Sequence, residues 1–180
     1  MDIPQDVLHK AAAGELEAFE ALYRLSAGFV YNVALRIVNN REDAQEVAQE
    51  VFMIIHQKLK MFRYESSFKT WIYRITANTA INFAKGRARQ RSVPLDEELL
   101  PAPEEAKEPD PQALDRYIGQ LLNAVNPEQR ACVVMRNIEG LSYKQIAEAL
   151  NININTVRTR LKRAREKMLS LRKKVAHETV

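Results

Sequence analysis

The sequence predicts an all-α fold of two small helical domains joined by a flexible, acidic, proline-rich linker. Three observations predict it. Apolar residues recur at intervals of three and four along most of the chain, and no segment shows the sustained alternation typical of β-strands. Residues 94–115 hold five of the seven prolines, which prevents one continuous helix from crossing them. A length of 180 residues is sufficient for one or two compact domains.

The composition excludes several classes of protein. The chain is 46% hydrophobic and 28% charged, no apolar run reaches the length of a transmembrane helix, and residues 1–15 lack the order of a secretory signal. A cytoplasmic location is therefore expected. One cysteine and three dispersed histidines argue against a zinc site, so no cofactor or metal is expected. Cys132 lies among apolar neighbours and is interpreted as a buried core residue, a reactive thiol being the less frequent alternative.

The N-terminal half reads as four helical segments. Apolar residues at helical spacing begin at Leu16, and the pattern restarts after Gly28, which predicts a break there. Another break is predicted at NNRED, followed by one helix through AQEVAQEVFMIIHQKLKMF and a last one through SFKTWIYRITANTAINFAKGR.

The segment 93–112 is predicted to be the linker. Residues 94–115 contain eight carboxylates and only Lys107 as a cation, so like charges and repeated prolines keep the segment extended. Basic runs lie on both sides of it, and the net charge of +4 suggests a polyanionic partner. The favoured reading is a solvated tether. The alternative is a segment that competes with nucleic acid for these basic faces or threads the cationic groove of a partner, and the two readings are compatible.

The C-terminal half shows two helix-start signals. Asn126 and Ser142 are each followed three residues later by a glutamine, which is the pattern of a capping box, and Pro127 suits the first helical position. Gly140 is expected to end the intervening helix.

The second capped helix, the turn NININ and the following basic helix have the pattern of a helix-turn-helix. Val157, Leu161, Ala164 and Met168 form one apolar stripe, which leaves the cations on the remaining surface. Arginine and lysine donate to guanine, and threonine contacts either a base edge or a thymine methyl. The alternative is an exposed basic helix without a specific ligand. The candidate DNA-contacting residues are Thr156, Arg158, Thr159, Lys162 and Arg163.

Residues 62–87 interleave aromatic side chains with arginine and lysine, a combination suited to single-stranded bases. Aromatic residues on helices are more often part of a core, and Phe68, Trp71 and Ile75 fit an inward stripe. Trp71 is therefore assigned mainly to packing. The better candidates for base contact are Tyr64, Ser66, Ser67, Asn78 and Asn82.

Three segments in this order resemble the bacterial RNA polymerase sigma factors of the extracytoplasmic-function (ECF) type, over essentially the whole chain. DAQEVAQEVF (43–52) resembles the core-polymerase-binding signature and SFKTWIYRITANTAIN (67–82) the −10-element helix. LSYKQIAEALNININTVRTRLKRARE (141–166) resembles the −35-binding helix-turn-helix. The resemblance implies an N-terminal sigma domain at 1–92 and a −35-binding domain at 113–180.

The resemblance also implies partners: core RNA polymerase through its β′ and β subunits, promoter DNA, and an anti-sigma factor, with no direct insertion into a membrane. It implies a promoter-specificity subunit, which is not an enzyme by itself. Asn153 and Asn155 stand in a turn where relatives commonly have proline or glycine. The residues implied for core binding are Asp43, Gln45, Glu46, Gln49 and Glu50. Those implied for the −10 strand are Phe62, Arg63, Tyr64, Ser66, Ser67, Asn78, Asn82 and Lys85, with a flipped base held by the 62–67 loop together with Asn78.

Two other classes remain as alternatives. A dimeric helix-turn-helix regulator would share the C-terminal pattern but lack affinity for core polymerase. A nucleic-acid enzyme is disfavoured because the chain has no glycine-rich phosphate loop, and Asp43 and Glu46 have no convincing metal-ligand partners.

Overall fold

A computed structural model describes residues 3–64, 66–90 and 111–178, and within them it contains helices and turns but no strand. The predicted all-α class is confirmed. The N-terminal helices are α1 (Gln5–Ala12), α2 (Leu16–Val38), α3 (Arg41–Lys58), a 3-10 turn (Leu59–Met61) and α4 (Phe68–Gln90). The C-terminal helices are α5 (Pro111–Asn123), α6 (Pro127–Val133) with a π-helical extension (Val134–Ile138), α7 (Tyr143–Leu150) and α8 (Ile154–Glu178).

Helix α2 runs without interruption through Gly28, so the predicted break there was wrong. A single glycine costs a helix about 1 kcal/mol relative to alanine. Leu22 and Val30, one on each side of Gly28, are fully buried against neighbouring helices. The Ser26 hydroxyl also donates to the Leu22 carbonyl within the same helix. Tertiary packing on both sides of the glycine therefore outweighs its weak helical preference.

The break at NNRED is a change of direction between α2 and α3. Asn39 ends α2 in the left-handed conformation, and the Asn40 side chain accepts a hydrogen bond from the backbone NH of Asp43 at the start of α3. Asparagine tolerates the left-handed region better than most residues, and its side chain is a good N-cap.

Both predicted capping boxes are present. The Asn126 side chain accepts from Gln129 NH and the Gln129 side chain accepts from Asn126 NH, and Ser142 and Gln145 repeat the arrangement at α7. Gly140 has a φ of 70°, which supports its predicted role as a helix terminator.

Helix α8 buries one side of about its first four turns. Val157 and Ala164 are fully buried, and Leu161 and Met168 are half-buried, as the predicted stripe requires. The left-handed residue in the preceding turn is Asn151, rather than Asn153 or Asn155. The Asn153 side chain instead accepts a hydrogen bond from Asn155 NH at the first turn of α8.

One hydrophobic core extends through both halves of the chain. Helices α6 and α7 pack on α4, and α6 also packs on α2, so that Cys132 lies buried in a core shared with Ile37 and Ile72. The buried Arg130 guanidinium donates to the carbonyls of Leu122 and Val125 and, across the interface, to that of Ile37. Burial lowers the Arg130 pKa to about 10.

The predicted linker lies outside the described residues except for its last two positions, where Pro111 begins α5. Within the described ranges, no helix combines the length and the apolarity needed to cross a membrane.

Candidate nucleic-acid and protein interfaces

Helix α3 presents one exposed polar face. Gln45, Glu46, Gln49 and Glu50 are exposed, and Met53, one turn further, is 61% exposed. Sequence reasoning missed Met53, although its spacing of four from Gln49 could have identified it. Met53 adds one apolar side chain to this otherwise polar face.

Asp43 does not belong to this exposed face. Asp43 is buried, and its backbone NH donates to the Asn40 side chain. Its carboxylate accepts hydrogen bonds from the Arg87 guanidinium of α4. This carboxylate raises the pKa of Arg87 above its usual range. Asp43 thus connects the start of α3 to the last turns of α4. The start signal at Asn40 could have indicated that Asp43 sits in the first helical turn.

An aromatic cluster forms the loop before α4. Phe62 packs on Trp71 with ring centroids 5.2 Å apart and on Phe68 at 5.7 Å. Phe68 is buried and Trp71 is half-buried, in keeping with the packing role predicted for Trp71. Tyr64 lies 4.7 Å from Phe62, is 44% exposed and has a φ of 57°. The loop therefore offers one accessible ring on a packed aromatic base.

The remaining loop candidates have different surroundings. Arg63, Ser66 and Ser67 are exposed. Ser67 Oγ accepts from Thr70 NH at 3.1 Å and lies 2.8 Å from Thr70 Oγ1, so it caps the first turn of α4. Its hydroxyl is already used within the loop.

Asn78, Asn82 and Lys85 lie further along α4. Asn78 is seven residues beyond Trp71, roughly 10 Å along the helix axis, so the structure does not bring it into the loop. Its amide donates to the Ala149 carbonyl at the end of α7, at 3.0 Å, and to Arg74 O in its own helix. Asn82 is exposed, and Lys85 Nζ lies 2.5 Å from Glu128 Oε1 of α6.

Glu128 connects three helices and was not selected from the sequence. It pairs with Lys85 of α4 and with Arg160 of α8, whose guanidinium lies 3.1 Å away. The hydrogen bond from Lys85 is the main cause that lowers the pKa of Glu128. This bridge links the −10 candidate Lys85 to the helix that carries the −35 candidates.

The exposed side of α8 carries the predicted DNA-contacting residues. Arg158, Thr159, Lys162 and Arg163 are exposed, and Thr156 is half-buried. Arg158 donates to Asn155 Oδ1 at 2.8 Å, and the Thr159 hydroxyl donates to the Asn155 carbonyl at 2.9 Å. The first turn of α8 thus orders two of the candidates before any ligand binds.

A groove of about 770 Å³ runs beside α8, between it, α5 and the π-helical extension. Leu121, Leu161 and Met168 give it an apolar floor, and no carboxylate is among its described lining residues. Arg136 stacks over the Tyr143 ring at 5.4 Å on one wall. The cations that line the groove are Arg136, Arg158, Lys162, Arg165 and Arg172.

Two family descriptions match the chain in the order that the sequence suggested. Residues 22–90 match sigma-70 region 2, and residues 115–168 match sigma-70 region 4. The first match covers α3, the loop and α4, which a simple helix-turn-helix regulator would not share.

Named relatives and a solved structure agree with these matches. The chain is 32% identical over 174 residues to the ECF RNA polymerase sigma-E factor of Escherichia coli, covering 90% of each chain. It is 31% identical to the ECF RNA polymerase sigma factor SigE of Mycolicibacterium smegmatis, over 91% of this chain and 65% of that protein. Its fold resembles that of a sigma factor in complex with the anti-sigma factor NepR, from Bartonella quintana, with a TM-score of 0.64, 23% identity and coverage of 88% and 98%.

A sigma factor of this kind binds core RNA polymerase and directs promoter-specific transcription initiation. By its two matched regions, its identity to full-length relatives and its helical fold, the chain belongs to the ECF RNA polymerase sigma factors.

Proposed function

We propose that three surfaces of the chain bind three different partners. The α3 face binds core polymerase, the 62–67 loop with α4 binds the melted −10 strand, and α8 binds the −35 duplex. The observation that carries the proposal is the two-sided character of α8. Val157 and Ala164 are fully buried while Arg158, Lys162 and Arg163 are exposed on the other side. A helix anchored this firmly can place its cations in a major groove. The unit boundaries are 1–92, 93–112 and 113–180.

The α3 face suits a protein partner more than DNA. Its two carboxylates, Glu46 and Glu50, would be repelled by phosphates, whereas a cationic surface of the polymerase would attract them. Met53 supplies an apolar contact at the end of the same face, where it is mostly exposed in the free chain. The proposed core-binding set is therefore Gln45, Glu46, Gln49, Glu50 and Met53, with Asp43 acting indirectly by fixing α3 to α4.

The −10 surface has two separate parts. The Tyr64 ring can stack on an unpaired base, and Arg63 can follow the backbone beside it. Asn78 and Asn82, one turn apart on α4, can hydrogen-bond a second base, because an amide both donates and accepts. Since Asn78 lies about 10 Å beyond Trp71 along the helix, we assign the loop and the two asparagines to different nucleotides of the strand.

The arrangement of the chain also supports a resting state that differs from the DNA-bound one. Asn78 and Lys85 both contact the C-terminal helices, so neither can contact DNA until α6 and α7 move away from α4. The interface also contains buried apolar side chains such as Cys132 and the buried Arg130, so its separation has to be driven by binding to a partner. Core polymerase would favour the separated state by binding it more tightly.

We further propose a cytoplasmic protein that is not an enzyme by itself and is held inactive by an anti-sigma factor. The basic groove beside α8 and the α3 face are the surfaces that such an inhibitor would cover. A protein inhibitor with acidic and apolar side chains would match the five cations and the apolar floor of the groove.

Reconstitution tests the function. Purified chain is mixed with core RNA polymerase and promoter fragments selected from random sequence, and run-off transcripts are measured. The proposal expects stoichiometric co-purification with core and transcripts that start at one position downstream of paired −35 and −10 elements. Sequence-specific binding by the free chain as a dimer, without core binding, would contradict it.

A further inference from the structure

Helix α1 contacts the −10 loop through a pair of stacked rings. His9 of α1 stacks on Tyr64 with centroids 5.2 Å apart and an interplanar angle of 28°, and its Nδ1 lies 3.4 Å from Tyr64 Oη. The two residues are 55 positions apart in the chain. No motif in the sequence connects His9 to the loop.

Tyr64 holds an unfavourable backbone conformation. Its φ of 57° lies in the left-handed region, which a bulky side chain rarely adopts. Such a conformation persists only where surrounding contacts enforce it, and it is often found where a side chain must be held in readiness for a ligand. The ring contacts of Tyr64 are with Phe62 from its own loop and with His9 from α1.

His9 is well placed to enforce this conformation because its helix is anchored. Leu8 and Ala11, on either side of it, are buried in the core, and α1 packs along α2 and beside the 3-10 turn. His9 itself is exposed, so its side chain stands on a fixed helix and supports the Tyr64 ring from outside the loop. The Phe62 contact comes from only two residues away within the same loop, whereas His9 contacts the ring from a separate helix.

We propose that His9 is a positioning residue for capture of the −10 strand, which holds the Tyr64 ring where it can stack on an unpaired base. The inference rests on the proposed function of the loop. His9 acts through its ring, so an aromatic replacement should retain the effect. A base that stacks on Tyr64 needs the ring in one orientation, and a ring free to rotate loses part of that interaction.

The test uses holoenzyme reconstituted with core polymerase and a promoter carrying 2-aminopurine in the −10 element. The fluorescence change measures the rate of strand opening. Competition binding at low temperature measures the affinity of the closed complex. Four variants are compared with wild type: H9A, H9F, Y64A and the double variant H9A/Y64A. H56A is the matched control, since His56 is also exposed and makes an edge contact with Phe19, outside the loop.

We expect H9A to slow opening about fivefold to tenfold, a partial loss of one base-stacking contact, while closed-complex affinity stays unchanged. H9F should recover most of the rate, and H56A should match wild type. The double variant should open no more slowly than Y64A, because His9 acts through Tyr64. Thermal unfolding of each variant checks that α1 remains folded.

Each other outcome overturns the inference in a distinct way. If Y64A slows opening and H9A does not, the loop captures the strand without help from α1. If the losses of H9A and Y64A multiply, or if H9F is as slow as H9A, His9 contacts DNA on its own through a polar group. If Y64A opens at the wild-type rate, the proposed function of the loop fails, and the role of His9 fails with it.

Discussion

The Asn78 amide donates a hydrogen bond to the Ala149 carbonyl, 3.0 Å away, and so joins the −10 helix to the last turn of α7. Seven residues further along α4, Lys85 reaches Glu128 of α6. Two residues proposed to contact the melted strand therefore hold the C-terminal helices against α4. Contact with the melted strand and packing of the two halves against each other therefore compete for the same side chains.

Removing the carboxylate at Glu128 should loosen this interface. Glu128→Gln loses the charge that both Lys85 and Arg160 contact, and we expect a larger radius of gyration by small-angle scattering. The control is Glu166→Gln, because Glu166 pairs within α8 with Lys162 and does not cross the interface. An unchanged radius in Glu128→Gln would show that apolar packing alone holds the two halves together.

The same bridge should make the interface sensitive to acid. The pKa of Glu128 is lowered in the folded chain, so its contribution is complete above the ordinary pKa of a glutamate. This contribution to the stability of the interface is lost as the pH falls through the lowered pKa of Glu128. Scattering from pH 7 to well below the ordinary pKa of a glutamate should show expansion at the acid end in wild type, and Glu128→Gln should remove that part of the change. Identical pH profiles for the two proteins would contradict the assignment.

Removing the buried hydroxyl of Tyr73 should change the free energy of unfolding only slightly. Its Oη is buried without a hydrogen-bond partner among the described residues, and burial raises its pKa well above the usual range. Tyr73→Phe should therefore change the free energy of unfolding by less than about 1 kcal/mol, or increase it, since no hydrogen bond is removed. Urea unfolding measures this. A loss of about 2 kcal/mol or more would show that the hydroxyl is hydrogen-bonded.

Substitutions on the proposed core-binding face should weaken binding to core polymerase without changing the stability of the fold. Gln49→Ala combined with Glu50→Lys should weaken binding to core polymerase, whereas the melting temperature should hardly change because both side chains are exposed. Glu17→Lys, a charge reversal at an exposed position of α2, is the control. Retained affinity in the double variant would remove α3 as the docking face.

Two cations of α8 should behave differently. Arg163→Ala should cost about 1–3 kcal/mol at the preferred −35 sequence and relax discrimination there. Lys167→Ala, one turn further and also exposed, should weaken all sequences about equally and reduce the salt dependence of binding. Holoenzyme binding to matched and single-base-substituted promoters at two salt concentrations distinguishes them. Equal losses on every promoter would mean that α8 only contacts phosphates.

Most of the helices could be predicted from sequence because they depend on local spacing and capping, but α1 was not among the predicted segments, which began at Leu16. Asn126 with Gln129 and Ser142 with Gln145 form the expected boxes, and the α8 stripe is buried as expected. The break at Gly28 was predicted wrongly because propensity was weighed without the packing of α2 against its neighbours. Local signals therefore predict where a helix begins better than they predict whether a long helix continues through a glycine.

The relationships that matter most for the candidate site could not be predicted in the same way. His9 with Tyr64, Asn78 with Ala149 and Lys85 with Glu128 join residues 43 to 71 positions apart, as the chain numbering shows. Such contacts depend on how whole helices pack, which no short pattern encodes. The placement of Asp43 away from the α3 face is a similar case, since its partner Arg87 lies 44 residues further along the chain.

Asn78→Ala in reconstituted holoenzyme tests the central claim most directly. The substitution removes a contact that holds the C-terminal helices against α4 and also removes a proposed base contact. Closed-complex affinity and the opening rate are measured on one promoter. The account predicts closed-complex affinity equal to or higher than wild type, together with slower opening. Equal loss in both steps would contradict it, because Asn78 would then contribute before the strands separate.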